Sequence, residues 1–146
     1  MKFTILRFGS LYGPSAGKNN GINYMIDNFL KTRLLSYKGK KNAARKYIHV
    51  EDACLACIKS MNKKYDNEYL NITGRKKVKV FNVMEHIADI FDYKSKIRFN
   101  NLEIEGHYVN TPKIFNPRKG KNLFLKKYKN FKHEIKNLIE ERKTKI

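Results

Sequence analysis

The stretch that decides the fold is KFTILRFGSLYGP, residues 2–14. Between Lys2 and Gly9 the apolar side chains run together, as they do in strands of a parallel sheet that is covered on both faces. The pair Gly13-Pro14 then breaks the extended segment, because both residues favour turns. We therefore predict a buried strand at Lys2–Gly9 that ends in a loop.

Helical and extended segments alternate after this strand. Apolar residues between Ile22 and Leu35 follow the i, i+3, i+4, i+7 spacing of an amphipathic helix. A second helix is predicted from Asp52, with apolar positions that include Leu55, Ile58 and Met61. Extended segments are predicted at 35–37, 47–50 and 68–72, an extended or looped segment at 109–119, and helices at 80–91 and about 130–141. The alternation is typical of an α/β layer fold.

Length and composition fit one domain over residues 1–146, with a short frayed basic end at 142–146. No apolar run approaches the roughly 20 residues needed to cross a bilayer, and the N-terminus is not typical of a signal peptide. We therefore expect no membrane contact and a cytoplasmic location. Cys54 and Cys57 cannot form the multi-bridge framework of a small secreted domain.

The chain is strongly basic, with a net charge of +19. Only seven of the 32 basic residues are Arg, and the many Lys stand among Asn, Ile, Tyr and Phe, which share A/T-rich codons. A solvated lysine-rich surface therefore accounts for the charge without a polyanion partner. Nonspecific adhesion to nucleic acid at low salt is still expected. A nonenzymatic polyanion- or nucleic-acid-binding protein remains the alternative.

Catalytic and metal-binding patterns are not evident in the residues alone. The four histidines are scattered without metal-ligand spacing or partner cysteines, so no metal site is predicted. No catalytic triad can be assembled, and we assign no catalytic residue.

Three segments, in order and with matching spacing, resemble one known family. ILRFGSLYGP, residues 5–14, resembles the R-x-x-N-x-Y-G-P strand and loop of NAD-dependent nucleotide-sugar epimerases and dehydratases, the extended short-chain dehydrogenase/reductase family. RKYIHVEDA, residues 45–53, resembles that family's R-D-Y-I-H-V-x-D-A segment, and residues 67–80 resemble its YNIGSG…VSI segment. The resemblance covers about residues 2–92. It implies the C-terminal portion of a Rossmann-like fold, with an incomplete parallel sheet and a small substrate-binding subdomain.

The resemblance also implies site residues. The strand that ends near Phe8 and Gly9 would pass the nicotinamide ring of NAD, and Arg45 would bind the diphosphate of a nucleotide sugar, a task that suits a planar guanidinium. Ser10 stands where the family has an Asn that touches the sugar nucleotide, and Lys46 stands where it has Asp. The other implied substrate-binding residues are Asn20, or Asn19 beside it, at the start of a helix, and Ser36 and Tyr37 in a short strand.

Two further family features are expected to be missing from these residues. They are the G-x-x-G-x-x-G turn that cradles the pyrophosphate of NAD and the Tyr-x-x-x-Lys pair that transfers the proton. The resemblance therefore implies a fragment that binds a nucleoside diphosphate sugar, uses NAD only together with a missing N-terminal half, and is inactive alone. Its partner would be a separately encoded N-terminal Rossmann half or, if the chain is an assembly subunit, a full-length homologue.

Overall fold

Strands and helices alternate along the chain in the computed structural model, which describes residues 1–17, 20–93, 97–100 and 120–144. The expected α/β class is confirmed. In chain order the elements are β1 (Thr4–Phe8), β2 (Ser10–Tyr12), α1 (Gly21–Thr32), β3 (Leu35–Tyr37), β4 (Ala44–Arg45), β5 (Tyr47–His49), α2 (Val50–Ser60), β6 (Glu68–Ile72), β7 (Val78–Lys79), α3 (Val80–Ile90), β8 (Ile97–Phe99), β9 (Lys121–Asn122) and α4 (Phe131–Lys143).

The largest sheet has three parallel strands in the order β1-β6-β9. Thr4 of β1 pairs with Glu68 of β6, and the register continues to Phe8 and Ile72. The break predicted after the first strand occurs at Gly13, which takes a φ of 146° that favours glycine. Three two-stranded ladders complete the pairing: β2 with β5 and β3 with β8 are parallel, and β4 with β7 is antiparallel.

Two apolar cores hold these elements together. The larger core lies among α1, α3 and α4, and its fully buried side chains include Phe29, Met84 and Ile139. The smaller core lies between α2 and the three-stranded sheet, where Ala53 and Ala56 pack with residues such as Leu70. The inward positions predicted for the helices at 22–35, 80–91 and 130–141 are found in the larger core, except Leu34, which lies beyond the end of α1 and is exposed.

Helix α2 buries a different face from the one its large apolar residues suggest. Ala53 and Ala56 face the sheet, whereas Leu55, Ile58 and Met61 are exposed. The small alanines let the helix approach the strands closely, so the bulky residues are left on the outer side. The apolar positions that the sequence assigns to this helix therefore do not contribute to a core of the described chain.

The last helix extends beyond the predicted end. Arg142 and Lys143, which the sequence assigns to the basic end, are the final residues of α4, and Arg142 is ion-paired with Asp27 of α1. The predicted extended or looped segment at 109–119 lies outside the described residues. Across the described part of the chain, none of the helices is both long and apolar enough to cross a bilayer.

Candidate functional site

A cavity of about 230 Å³ opens where the start of α1 faces β2, the end of β3 and the Arg45–Tyr47 segment. It is lined by Ser10, Leu11, Asn20, Gly21, Ile22, Met25, Tyr37, Arg45, Tyr47 and Val80. Four of the five residues that the sequence assigns to the substrate therefore come together in one place, although they lie far apart in the chain. The fifth, Ser36, is the neighbour of Tyr37 in β3 and does not line the cavity.

Arg45 is the one charged side chain among the described residues that line this cavity. It is 9% exposed. Its Nη1 donates to the carbonyl oxygen of Ala44 at 3.1 Å, and its Nη2 donates to the phenol oxygen of Tyr37 at 3.0 Å. Both acceptors are neutral, and the two bonds orient the guanidinium. A guanidinium is a side chain suited to bind a carboxylate or a phosphate group.

Asn20 shapes the cavity through the backbone. Its Oδ1 accepts hydrogen bonds from the backbone N–H groups of Ile22 and Asn23, which caps α1, and its Nδ2 donates to the carbonyl of Leu11 at 2.8 Å. The side chain is thereby used to fix the positive end of the helix dipole at the cavity wall. Asn19 lies outside the described residues.

Phe8 and Gly9, the residues expected to meet the cofactor, do not line the cavity. Phe8 packs into the core beneath α2. Gly9 lies where two chain segments meet, because its N–H donates to the carbonyl of Ile72 and an added Cβ would lie 2.4 Å from the carbonyl oxygen of Lys46. The next N–H, that of Ser10, donates to the same Lys46 oxygen at 3.0 Å. Their contact with NAD stays a prediction.

A second cavity, of about 210 Å³, was not predicted from the sequence. Its wall includes His49, which is fully buried and caps α2 by accepting from the N–H of Glu51 through Nδ1. The Nε2 of His49 lies 3.8 Å from the Glu134 carboxylate, and Asp52 accepts from the backbone N–H of Lys129. The Asp52 bond ties α2 to the segment before α4, and His49 of β5 faces Glu134 of α4. Asp52 of the matched motif and the Nδ1 of His49 thus have backbone partners here.

Tyr12 lies beside the same carboxylates. Burial raises the pKa of its phenol far above the ordinary value, and the negative charges of Asp52 and Glu134 raise it further. The phenol stays protonated throughout the physiological range, so Tyr12 is unsuited to act as a base.

The Tyr-x-x-x-Lys spacing occurs twice in the chain, so the expectation that it is absent is wrong for the spacing itself. Tyr37 is followed by Lys41, and Tyr128 by Lys132. Neither pair lies within one helix, where a separation of four residues would place both side chains on one face. Lys41 instead lies over the ring of Phe81.

The phenol groups of these two tyrosines have other partners. The Tyr37 oxygen accepts from Arg45, and the Tyr128 hydroxyl donates to the carbonyl of Thr73 while accepting from the N–H of Leu125. In the part of the chain that the structure describes, these bonds join neither phenol to the lysine four residues later. The described residues also contain no group of three His, Cys, Asp or Glu side chains arranged to hold a metal ion.

Comparisons with known proteins agree with the resemblance. The sequence profile of the NAD dependent epimerase/dehydratase family matches residues 1–73. No curated protein matches the chain by sequence.

The fold is that of solved nucleotide-sugar enzymes. A UDP-N-acetylglucosamine 4-epimerase from Methanobrevibacter ruminantium, in complex with UDP-N-acetylmuramic acid, aligns with 100% of this chain at a TM-score of 0.80 and 17% identity. A UDP-glucuronic acid 4-epimerase from Bacillus cereus, in complex with UDP-glucuronic acid and NAD, aligns with 98% at 0.75 and 14% identity. A dTDP-glucose 4,6-dehydratase from Bacillus anthracis, in complex with NAD, aligns with 97% at 0.74 and 21% identity. This chain spans 47%, 46% and 44% of their respective lengths, which is consistent with a partial Rossmann-like fold.

Proposed function

The chain belongs to the NAD-dependent epimerase/dehydratase family, and we propose that its own part is to bind the diphosphate of a nucleoside diphosphate sugar in the cavity beside Arg45. The observation that carries the proposal is a buried guanidinium in a cavity whose described lining holds no carboxylate. A diphosphate carries the opposite charge, and its oxygens match the planar donor geometry of Arg.

The start of α1 supports the same ligand. Asn20 fixes this end of the helix at the cavity, and Gly21 there adds no side chain to the wall. The positive end of a helix dipole stabilises phosphate groups. Arg45 and the helix end would then share the charge of the diphosphate. Ser10, with a short hydroxyl in place of a carboxamide, would leave more room on the sugar side.

Hydride transfer belongs to a portion of the protein outside these residues. The sequence has no G-x-x-G-x-x-G turn, and the tyrosines at the two Tyr-x-x-x-Lys spacings are bonded elsewhere. We propose that an N-terminal Rossmann half, whether joined to this chain or separately encoded, supplies NAD and the proton-transferring pair. In that assembly the chain would take part in an epimerisation or dehydration of the sugar.

The sheet offers a surface for such a half. Within the described residues β1 is an edge strand, and one sheet face beside it exposes Phe3, Ile5 and Tyr69. A neighbouring parallel strand and its crossover helix would cover both the edge and this face. A second copy of this chain is a poorer occupant, because a net charge of +19 on each copy opposes their association.

Calorimetric titration of the 146-residue chain with UDP-glucose and dTDP-glucose tests the binding proposal. We expect binding by the native chain, and a loss of about 1.5–3 kcal/mol of binding free energy in Arg45→Ala, as for a hydrogen bond to a charged group. Arg7→Ala is the matched control, since it removes the same charge from β1, away from the cavity, and should leave the affinity unchanged. Equal losses in both variants would show that only the net charge matters.

The salt dependence of oligonucleotide binding distinguishes the proposed function from the alternative, a polyanion- or nucleic-acid-binding protein. A polyanion-binding protein would bind oligonucleotides with an affinity that falls steeply with salt, and would show no saturable binding of nucleotide sugars. That combination of results would replace the proposed function.

A further inference from the structure

We propose that Tyr37 is a positioning residue, whose phenol oxygen holds the Arg45 guanidinium in the direction needed to bind the ligand diphosphate. The inference rests on the proposed function of the cavity. It assigns to the phenol oxygen a task distinct from that of the Tyr37 ring, which forms part of the cavity wall.

Two fixed acceptors hold the terminal nitrogens of the guanidinium. Nη1 is bound to the backbone carbonyl of Ala44, and Nη2 is bound to the phenol oxygen of Tyr37. The carbonyl belongs to the residue before Arg45, so by itself it restrains only one end of the group. The phenol comes from another strand and restrains the second end. With both ends held, the orientation of the guanidinium plane is defined.

The Tyr37 ring is itself held on two sides. It lies edge-on to Phe99 of the paired strand β8, with ring centroids 6.1 Å apart. On another side it lies close to the backbone of Gly39, where an added Cβ would come within 2.5 Å of the ring. The carbonyl of Tyr37 also accepts the N–H of Asn100 at 3.1 Å. The phenol oxygen is therefore a rigid acceptor.

A restrained guanidinium binds an anion at a lower entropic cost. An Arg side chain that is free to rotate loses rotamer entropy when a ligand fixes it, and prior positioning removes part of that cost. The gain is realised only with a ligand that uses the guanidinium. Loss of the phenol oxygen should therefore weaken binding of a nucleoside diphosphate and leave binding of the nucleoside unchanged.

Tyr37→Phe tests this directly, because it keeps the ring and removes the oxygen. NMR shift titrations would compare UDP with uridine on the native chain, on Tyr37→Phe, on Arg45→Ala and on the double variant. We expect Tyr37→Phe to weaken UDP binding about 5- to 10-fold, in the range of one hydrogen bond. We expect no change for uridine, and no further loss of UDP affinity when Tyr37→Phe is added to Arg45→Ala. Tyr24→Phe, at an exposed site on α1, is the matched control and should change neither ligand.

Each other outcome contradicts the inference in a different way. Equal losses for UDP and uridine would make Tyr37 a direct contact of the nucleoside. An equal loss in the Arg45→Ala background would show that Tyr37 acts without Arg45, and an unchanged UDP affinity would show that the phenol oxygen has no effect. Absence of UDP binding by the native chain itself would overturn the proposed function, and the inference with it.

Discussion

The helical part around the cavity and the three-stranded sheet both contain large apolar side chains, but the first is closed around them and the sheet is open on one face. Phe29, in the core of α1, α3 and α4, is fully buried. In the sheet, Phe3, Ile5 and Tyr69 are 41%, 42% and 37% exposed on the face away from α2. Strands in parallel sheets are normally covered on both faces. The proposed N-terminal half would account for this difference, because it would cover the exposed face of the sheet.

The largest effect expected from this difference is an all-or-none one. The 146-residue chain, purified alone, should neither retain NAD nor convert any nucleotide sugar, because we propose that an N-terminal half supplies the cofactor site. Absorbance of the purified chain for bound NAD and chromatography of incubated UDP-glucose and dTDP-glucose are the measurements. Bound NAD or turnover at any pH would show that these residues hold a site of their own, and Tyr47, on the cavity wall, would be the first base to test.

The two regions should also respond differently to the loss of an apolar side chain. Phe29→Ala removes a ring that packs on Phe91 and Tyr93, and we expect it to lower the free energy of unfolding by about 3–5 kcal/mol. Ile5→Ala, on the open face of β1, should cost less than about 1 kcal/mol, because much of that side chain is already in water. Urea denaturation of the two variants measures both losses of unfolding free energy. Similar losses would mean that the sheet face is covered in solution.

The junction between the two regions should tolerate no added side chain. Gly9 connects β1 of the sheet to β2 beside the cavity, and a Cβ there would meet the Lys46 carbonyl, which belongs to the backbone and cannot turn aside. We expect Gly9→Ala to cost about 1–3 kcal/mol of unfolding free energy, as overpacking does. Gly17→Ala is the control, because its Cβ would meet nothing within 4 Å. Equal stability of the two variants would show that the strands can separate without cost.

The closed region was largely predictable from the sequence. The helical spacing of apolar residues locates α1, α3 and α4 because a period of 3.6 residues marks one buried face. The resemblance brought Ser10, Asn20, Tyr37 and Arg45 to the candidate site, and the structure gathers them in one cavity. The direction of the Tyr37 phenol could not be predicted, because a spacing of eight residues does not determine which atoms meet.

The open region shows where sequence patterns stop being informative. Leu55, Ile58 and Met61 have helical spacing, but periodicity cannot tell a face that packs on the same chain from one left exposed. The contact between His49 and Glu134 was also missed, because it joins elements that are far apart in the sequence. Chance likewise produces the Tyr-x-x-x-Lys spacing in a chain rich in both residues, and only the structure shows that neither pair lies within a helix.

The smallest expected effect concerns the surface where α2 of the sheet region meets the segment before α4. Glu51 and Lys129 form an exposed ion pair with an N–O distance of 2.9 Å. The hydrogen bond that Lys129 donates lowers the pKa of Glu51, and the same bond, accepted by Glu51, raises the pKa of Lys129. A lowered carboxyl pKa stabilises the fold above the ordinary value of 4.5, and this contribution is lost as the pH falls through the folded-state pKa. The raised pKa of Lys129 contributes below its ordinary value of 10.5 and is lost as the pH rises through its folded-state pKa.

Glu51→Gln should therefore make the free energy of unfolding slightly less dependent on pH between about 5 and 3, where the native carboxyl takes up its proton. The change should be small, since solvent and salt screen exposed pairs. Lys129→Ala should reduce the pH dependence of the free energy of unfolding over the same acid range. The double variant should reduce it no further than either single variant does. Denaturant titrations at several pH values in this range measure these changes. An additive effect of the two substitutions would show that Glu51 and Lys129 do not act as a pair, so that this contact does not join the two regions.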